Sequence, residues 1–246
     1  LYEEAYEQFP QGFLLGSETA STVSSRGVYK FPVVSEADKT YPDLQCSSYD
    51  LEYCNWSNIP EVDFEMQDDQ PWLIGEFVWT GFDYLGEPTP YDAYWPSRSS
   101  YFGICDLAGL PKDRYFLYRS RWNTKEETLH ILPHWNWEGR EGDTTPIFVY
   151  TNYNSAELFI NGKSQGIQKK SMNSKLNRYR LMWMDVKYTP GIVKVVAYND
   201  KREAVKEKMV VTAGKPHHIE LEADRRTMSA NGEDISFVTA SVVDIN

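Results

Sequence analysis

The sequence lacks several features that would assign its 246 residues to a class at once. No apolar run approaches the roughly 18 residues that a membrane-spanning helix needs, and the three cysteines form no Cys-X-X-Cys motif. Basic residues are few, with 25 Lys and Arg against 36 Asp and Glu. These absences argue against a membrane span, a disulfide framework, a zinc ribbon and a nucleic-acid partner.

Aromatic and acidic residues are the abundant groups. Aromatic side chains make up 15% of the chain and apolar ones 41%, which is enough to bury the core of one or two domains. The charge is uneven, because residues 1–122 carry a net charge of −12 and residues 123–246 a net charge of +1. This asymmetry predicts two parts of different kinds.

The first part has the pattern of an α/β unit. The segments 13–15 and 72–79 are nearly all apolar, as expected of parallel strands covered on both faces. The segments 43–56 and 112–122 carry apolar residues at helical spacing. Alternating strands and helices predict an α/β arrangement for this half.

The second part has the period of two that is typical of strands. In 156–160 every second residue is apolar, and Asn161-Gly162 follows as a strong hairpin signal. A β-sandwich is the fold that this spacing predicts. A new alternation starts after Gly214, and about 30 residues are too few for another sandwich. Further strands are predicted at 180–186, 192–198, 207–212, 219–223 and from Ile235.

A carboxylate follows the first predicted strand, in Gly16-Ser17-Glu18. In barrel enzymes the catalytic groups lie at this end of a strand. Residues 75–106 place aromatic rings beside carboxylates on predicted loops, which suits a sugar because its C–H face stacks on an aromatic ring and its hydroxyls bind polar groups. An aromatic core with an acidic rim explains the composition equally well.

Several motifs in this order closely resemble the β-galactosidases of glycoside hydrolase family 2. The resemblance extends over nearly the whole chain. The matching motifs are GSETAS at 16–21, RGVY at 26–29, SSYD at 47–50, GEFVWTGFDYLGEPTPY at 75–91, SSYFGICD at 99–106, GLPK at 109–112 and LPHWNW at 132–137.

The resemblance implies a combined α/β and all-β architecture. Residues 1–124 would be the last part of a (β/α)8 TIM barrel, and residues 125–213 an immunoglobulin-like β-sandwich. Residues 214–246 would begin a second immunoglobulin-like sandwich. A barrel of this kind needs around 250 residues, so we expect the chain to be a C-terminal portion of a longer polypeptide.

The resemblance also implies a retaining glycosidase that cleaves terminal β-D-galactosides. Glu18 matches the nucleophile of the family, and Trp79 matches the tryptophan that forms the floor or wall of the galactosyl subsite. The substrate-binding partners implied for sugar hydroxyls are Asp83, Glu87 and Tyr91.

One part of the family pattern is absent. The acid/base of the family is the Glu of an Asn-Glu pair, and no Asn-Glu dipeptide occurs in these residues. We therefore expect activity only within a longer chain that supplies this Glu, from N-terminal domains of the same polypeptide. No metal ligand is assigned, although the family resemblance allows magnesium or sodium. His130 and His134 are expected to pack among Trp135 and Trp137.

Two alternatives stay open. The chain could belong to an enzyme of the same family and fold that cleaves another sugar, a β-glucuronidase or a β-mannosidase. It could also be a noncatalytic carbohydrate-binding module, which binds a sugar without cleaving it. The resemblance further implies a β-galactoside glycan as partner and a bacterial periplasmic or secreted location, with a homo-oligomer as an allowed state. The composition argues against a nucleic-acid or membrane partner.

Overall fold

A computed structural model describes residues 2–245 of the chain. The helices are α1 (Tyr2–Gln8), α2 (Pro60–Asp69), α3 (Asp113–Trp122) and α4 (Lys175–Tyr179). The strands of the first half are β1 (Leu14–Ala20), β2 (Thr22–Val23), β3 (Glu36–Ala37), β4 (Glu52–Tyr53) and β5 (Leu73–Trp79). Those of the second half are β6 (Leu129–Leu132), β7 (Ile147–Thr151), β8 (Ser155–Ile160), β9 (Lys163–Lys169), β10 (Leu181–Trp183), β11 (Ile192–Tyr198), β12 (Ala204–Val211), β13 (His218–Ala223) and β14 (Val238–Val243).

The first half is built on the parallel pair of β1 and β5, with α2 between them in sequence and α3 after them. Both predicted strands and the predicted helix 112–122 are confirmed. The sequence pattern did not identify α2, although Pro60 stands at its first turn together with two acidic residues. Such residues favour a helix start, because proline needs no hydrogen-bond partner there and carboxylates oppose the helix dipole.

The helix predicted for 43–56 is wrong. This segment consists of turns that end in the short strand β4, and Leu44 and Asp50 have positive φ angles of 53° and 56°. The backbone N–H groups bond to polar side chains instead of helical carbonyls: Ser47 N–H donates to the Glu52 carboxylate at 2.8 Å, and Cys46 N–H donates to Ser25 Oγ at 3.1 Å. Polar side chains close in sequence or space thus outcompete the helix.

The second half contains two antiparallel sheets that share one core. The strand orders are β10-β7-β6 and β12-β11-β8-β9. The predicted hairpin at Asn161-Gly162 joins β8 to β9 and is confirmed, with Asn161 and Gly162 both at positive φ. Alternate residues of β8, such as Leu158, and of β11, such as Val195, point into this core.

The sheet β10-β7-β6 is buried on both faces. Ile147 and Val149 face the core shared with the second sheet. Phe148 and Tyr150 face a separate cluster that includes Leu117 of α3. This apolar contact continues across the boundary predicted at residue 124, so the two halves are joined by a packed interface.

Several buried polar groups form hydrogen bonds across that interface. The Arg180 guanidinium, which follows α4, bonds to Glu61 of α2 through Nε at 2.6 Å and through Nη2, and both side chains are fully buried. Arg180 also donates to the Tyr49 carbonyl at 3.0 Å. Tyr150 donates to the Asp50 carboxylate at 2.9 Å. These bonds compensate the cost of removing the charges from water.

The hairpin of β13 and β14 stands apart from both cores. The register pairs Ile219 with Val242 and Leu221 with Ala240. Ile219 is 66% exposed and Leu221 is 69% exposed. The strand predicted from Ile235 begins three residues later, at Val238.

The Arg180–Glu61 pair yields a stability prediction. Replacing Glu61 by Ala leaves a buried guanidinium without its main counter-charge, so we expect the free energy of unfolding to fall by about 3–5 kcal/mol in urea titrations. Glu65→Ala is the matched control, because Glu65 of α2 pairs with Lys175 of α4 at 2.8 Å on the surface. That variant should lose about 1 kcal/mol or less. Equal losses in the two variants would contradict the role of the buried pair.

Candidate active site

Two predicted site residues lie at the carboxyl ends of neighbouring parallel strands. In the β1–β5 pair, Ala20 is opposite Trp79. Glu18 precedes Ala20 by two residues, and its side chain is exposed. The ladder shifts register on both sides of Gly16, which is the irregularity that a bulge introduces near a functional strand end. The strand pair thus brings Glu18 and Trp79 to one edge.

Glu18 opens into a cavity of about 460 Å³. Trp56, Asn58 and Asp63 also line it, and none of its lining residues is Lys, Arg or His. The cavity therefore holds two carboxylates and no basic side chain among the residues that the structure describes. Such a surface favours a neutral polar ligand over an anion.

Trp79 is the first member of a hydrogen-bonded chain. Its indole Nε1–H donates to the Tyr84 hydroxyl at 3.1 Å, and that hydroxyl donates to the Glu87 carboxylate. Burial is the largest cause that raises the pKa of Tyr84 to about 12, followed by its bond to Glu87, and the charge of Glu18 adds to the rise. The charge of Glu18 therefore acts on the Tyr84 hydroxyl, to which Trp79 and Glu87 are hydrogen-bonded.

The turn after Glu18 is strained and is held from outside. Ala20 and Ser21 have positive φ angles of 62° and 53°, a conformation that is costly for residues with a Cβ. Asn58 N–H donates to the Ala20 carbonyl at 3.0 Å, and Ser57 Oγ–H donates to the Ser21 carbonyl at 3.1 Å. The Asp63 carboxylate accepts the Ala20 N–H. Three residues of the segment 57–63 thus hold the turn.

A second hydrogen bond locks the two strands together beside Glu18. Thr19 Oγ1–H donates to Glu76 Oε2 at 2.6 Å, from β1 to β5. Asp63 lies close to the same carboxylate: burial is the largest cause that raises the pKa of Asp63 to about 7, and the charge of Glu76 raises it further. The Thr19–Glu76 bond thus supports the strand end beside Glu18, where Asp63 also lies.

The remaining predicted residues have different surroundings. Tyr91 is fully buried; its hydroxyl donates to the Gln45 carbonyl at 2.8 Å and accepts the Tyr41 N–H at 2.9 Å. Tyr91 therefore supports the loop 41–45, and this corrects its prediction as a sugar contact. Asp83 accepts the Gly103 N–H at 2.8 Å and pairs with buried Lys112 at 2.7 Å.

Asp83 thus orders the loop at Gly103 in this structure, and its sugar contact stays a prediction. Glu87 is exposed and stays a candidate. Four residues were missed from the sequence, namely Trp56, Ser57, Asn58 and Asp63. An aromatic residue followed by two hydrogen-bonding residues before a helix start was the available signal, but nothing in the sequence placed it beside Glu18.

The described residues form neither a metal-binding cluster nor a membrane-spanning helix. Within residues 2–245 no group of three or more His, Cys, Asp or Glu side chains is placed to hold a metal ion. His134 stacks on Trp137 with ring centroids 4.1 Å apart, as expected from its neighbours, and His130 stacks on Phe116. None of the described helices is long and apolar enough to cross a membrane.

Comparisons with known proteins match the whole chain and one of its parts. Residues 142–205 match a family model described as a domain of unknown function, DUF4982. Over 248 residues the chain is 44% identical to a protein of Bacteroides ovatus named β-galactosidase BoGH2A. The alignment covers 96% of this chain and 28% of that protein, so the chain spans less than a third of the relative's length.

Solved structures show the same likeness. A β-glycosidase from Bacteroides vulgatus superimposes with a TM-score of 0.81 at 30% identity, over 99% of this chain and 33% of that one. A glycosyl hydrolase family 2 member from Bacteroides cellulosilyticus superimposes with a TM-score of 0.73 at 27% identity, over 99% and 30% of the two chains. A relative from Formosa agariphila named β-glucuronidase is 27% identical over 58% of this chain and 14% of its own length.

The proteins that the chain resembles along nearly its whole length are glycoside hydrolases. The chain belongs to glycoside hydrolase family 2. Its relatives are glycosidases that carry both β-galactosidase and β-glucuronidase names.

The raised pKa of Asp63 yields a prediction about pH. Its folded-state pKa of about 7 lies above the ordinary value of 3.8, so between these values the folded chain holds a proton that the unfolded chain has released. The free energy of unfolding therefore falls as pH rises through this window, by at most about 1.4 kcal/mol per unit for this group.

Asp63→Asn removes this titration. The difference in the free energy of unfolding between pH 5 and pH 8, measured in urea, should therefore be smaller in the variant than in the parent. Glu233→Gln, at an exposed turn, is the control and should leave the difference unchanged. An Asp63→Asn variant with the same pH dependence as the parent would show that Asp63 does not titrate in this range.

Proposed function

We propose that these residues belong to a retaining glycosidase that hydrolyses terminal β-D-galactosides. The Glu18 carboxylate attacks the anomeric carbon and forms a covalent galactosyl-enzyme, while an acid/base group protonates the departing oxygen. Water then attacks the intermediate, and the acid/base takes the proton of that water. Retention requires the two carboxyl groups to be about 5–5.5 Å apart.

The observation that carries this proposal is the position of Glu18. Its carboxylate is exposed at the end of β1, next to a strand that ends in Trp79. An exposed carboxylate without a salt-bridge partner in the described part of the chain is free to act as a nucleophile, unlike Glu61 or Asp83, which are occupied by buried cations. Trp79 supplies an aromatic face for the sugar ring.

The same proposal assigns the architecture. We infer that residues 1–124 are the last part of a (β/α)8 barrel, in which β1 and β5 are adjacent barrel strands, and that residues 125–213 are an immunoglobulin-like sandwich. The parallel pairing of β1 with β5 and the helix between them support the first assignment. The two antiparallel sheets with a common core support the second. Residues 214–246 would begin a further sandwich.

The names of the relatives favour galactose over glucuronic acid. The name of the relative with 44% identity agrees with a galactoside. β-Glucuronidase is the second candidate, because other relatives carry that name.

Further properties of the whole protein belong to this proposal. We propose that a longer polypeptide supplies the acid/base Glu, that the segment by itself is inactive, and that the enzyme works in the periplasm or outside the cell, with a homo-oligomer as an allowed state. A noncatalytic sugar-binding module is the competing interpretation. Such a module would bind galactosides equally well without Glu18.

A mechanism-based label tests the proposal on the longest available polypeptide. Treatment with 2-deoxy-2-fluoro-β-galactosyl fluoride should leave a fluorogalactosyl ester on the peptide that contains Glu18, as detected by mass spectrometry, because the fluorine slows hydrolysis of the intermediate. If only the corresponding glucuronyl reagent labels the protein, the substrate is a β-glucuronide and not a β-galactoside. Failure of every such reagent on a protein that folds would favour the binding module.

Removal of the nucleophile gives an independent check. Glu18→Ala should lower kcat by about three orders of magnitude or more, because the covalent path is lost. Added azide should enter the vacated space and convert an activated aryl β-galactoside into the α-galactosyl azide, which nuclear magnetic resonance identifies. Glu138→Gln, on an exposed loop of the sandwich half, is the control and should retain full activity.

A further inference from the structure

Trp56 presents a large aromatic ring inside the cavity of Glu18. The two residues line the same space of about 460 Å³, a volume in the range of small-molecule sites. Trp56 is 56% exposed. Its ring meets Phe102 at a centroid distance of 5.9 Å and a tilt of 50°, so that contact leaves much of the indole free.

The exposed ring stands on a rigid segment. Ser57 N–H donates to the Cys54 carbonyl at 2.8 Å, and Cys54 N–H donates to Ser57 Oγ at 2.8 Å. Thr22 Oγ1–H donates to the Asn58 carbonyl at 2.9 Å. Together with the bonds from Ser57 and Asn58 to the turn after Glu18, these contacts fix Trp56 relative to the nucleophile.

A fixed and exposed tryptophan beside polar side chains matches the chemistry of a pyranose. The C–H face of the ring packs on the indole, and the hydroxyls meet exposed polar groups of the same cavity, such as Ser17. Because the segment is ordered before the ligand arrives, little conformational entropy is lost on binding.

We propose that Trp56 is the stacking platform for the sugar of the leaving group, and thereby determines which glycans are cleaved. This inference rests on the proposed function. Trp79, on β5, does not line this cavity. A galactosyl unit against Trp79 would therefore leave this cavity to its leaving group.

Two reactions of the full-length polypeptide separate this role from others. The first is hydrolysis of a β-galactosyl-glucose disaccharide, whose leaving group is a sugar. The second is inactivation by 2-deoxy-2-fluoro-β-galactosyl fluoride, whose leaving group is a fluoride ion without a ring. Trp56→Ala should raise KM for the disaccharide about five- to tenfold, with inactivation by the fluoride changed less than about twofold.

Two control variants distinguish a loss of the aromatic ring from a loss of folding. Trp56→Phe keeps an aromatic face and should recover most of the disaccharide KM. Trp122→Ala removes another exposed tryptophan, on α3, and should change neither reaction. Thermal unfolding of each variant shows whether the fold is retained.

The possible results distinguish the proposed role of Trp56 from the proposed function as a whole. If the parent protein is labelled at Glu18 and Trp56→Ala leaves the disaccharide kinetics unchanged, the proposed role of Trp56 is wrong. The proposed function then still stands. Equal losses in both reactions place Trp56 in the galactosyl subsite or in the fold and overturn the assignment to the leaving group. A parent that is not labelled overturns the proposed function and the platform with it.

Discussion

The structure depends on a sheet that has no solvent face. Residues of β7 alternate between two cores, Val149 toward the second sheet and Phe148 toward α3 and its neighbours. Every position of this strand must therefore be apolar or fully bonded, since burying an unpaired polar group costs a few kcal/mol. Tyr150 of this strand satisfies the condition through its hydrogen bond to the Asp50 carboxylate of the first half. The half that carries Glu18 is thereby fixed to the sandwich half.

Within that frame, the candidate site combines an exposed reactive group with a heavily bonded support. Glu18 faces the cavity, while the turn that follows it is held by the segment that carries Trp56. Two consecutive residues in the left-handed region cost of order 1–3 kcal/mol each, and the bonds from Asn58, Ser57 and Asp63 offset that cost. The same bonds therefore order both the nucleophile strand and the aromatic wall.

Much of the fold was predictable where one local signal dominated. The apolar runs of β1 and β5, the Asn161-Gly162 hairpin and the amphipathic α3 were all located from sequence. The segment 43–56 failed because its partners, such as Ser25, come from elsewhere in the chain. The family motifs named Glu18 and Trp79 as site residues, and their roles there stay predictions. They equally named Tyr91, whose hydroxyl is occupied inside the protein.

The sequence by itself determined the family, the strand periods and the identity of the candidate nucleophile, because these depend on residues close together in the chain. Only the tertiary structure decided which polar side chains remain exposed. Asp83 and Glu87 share one motif, yet a buried lysine 29 residues away occupies Asp83 while Glu87 stays exposed. It also decided that Trp56 lies beside Glu18. Burial and hydrogen-bond partners arise from distant segments, and no local pattern encodes that proximity.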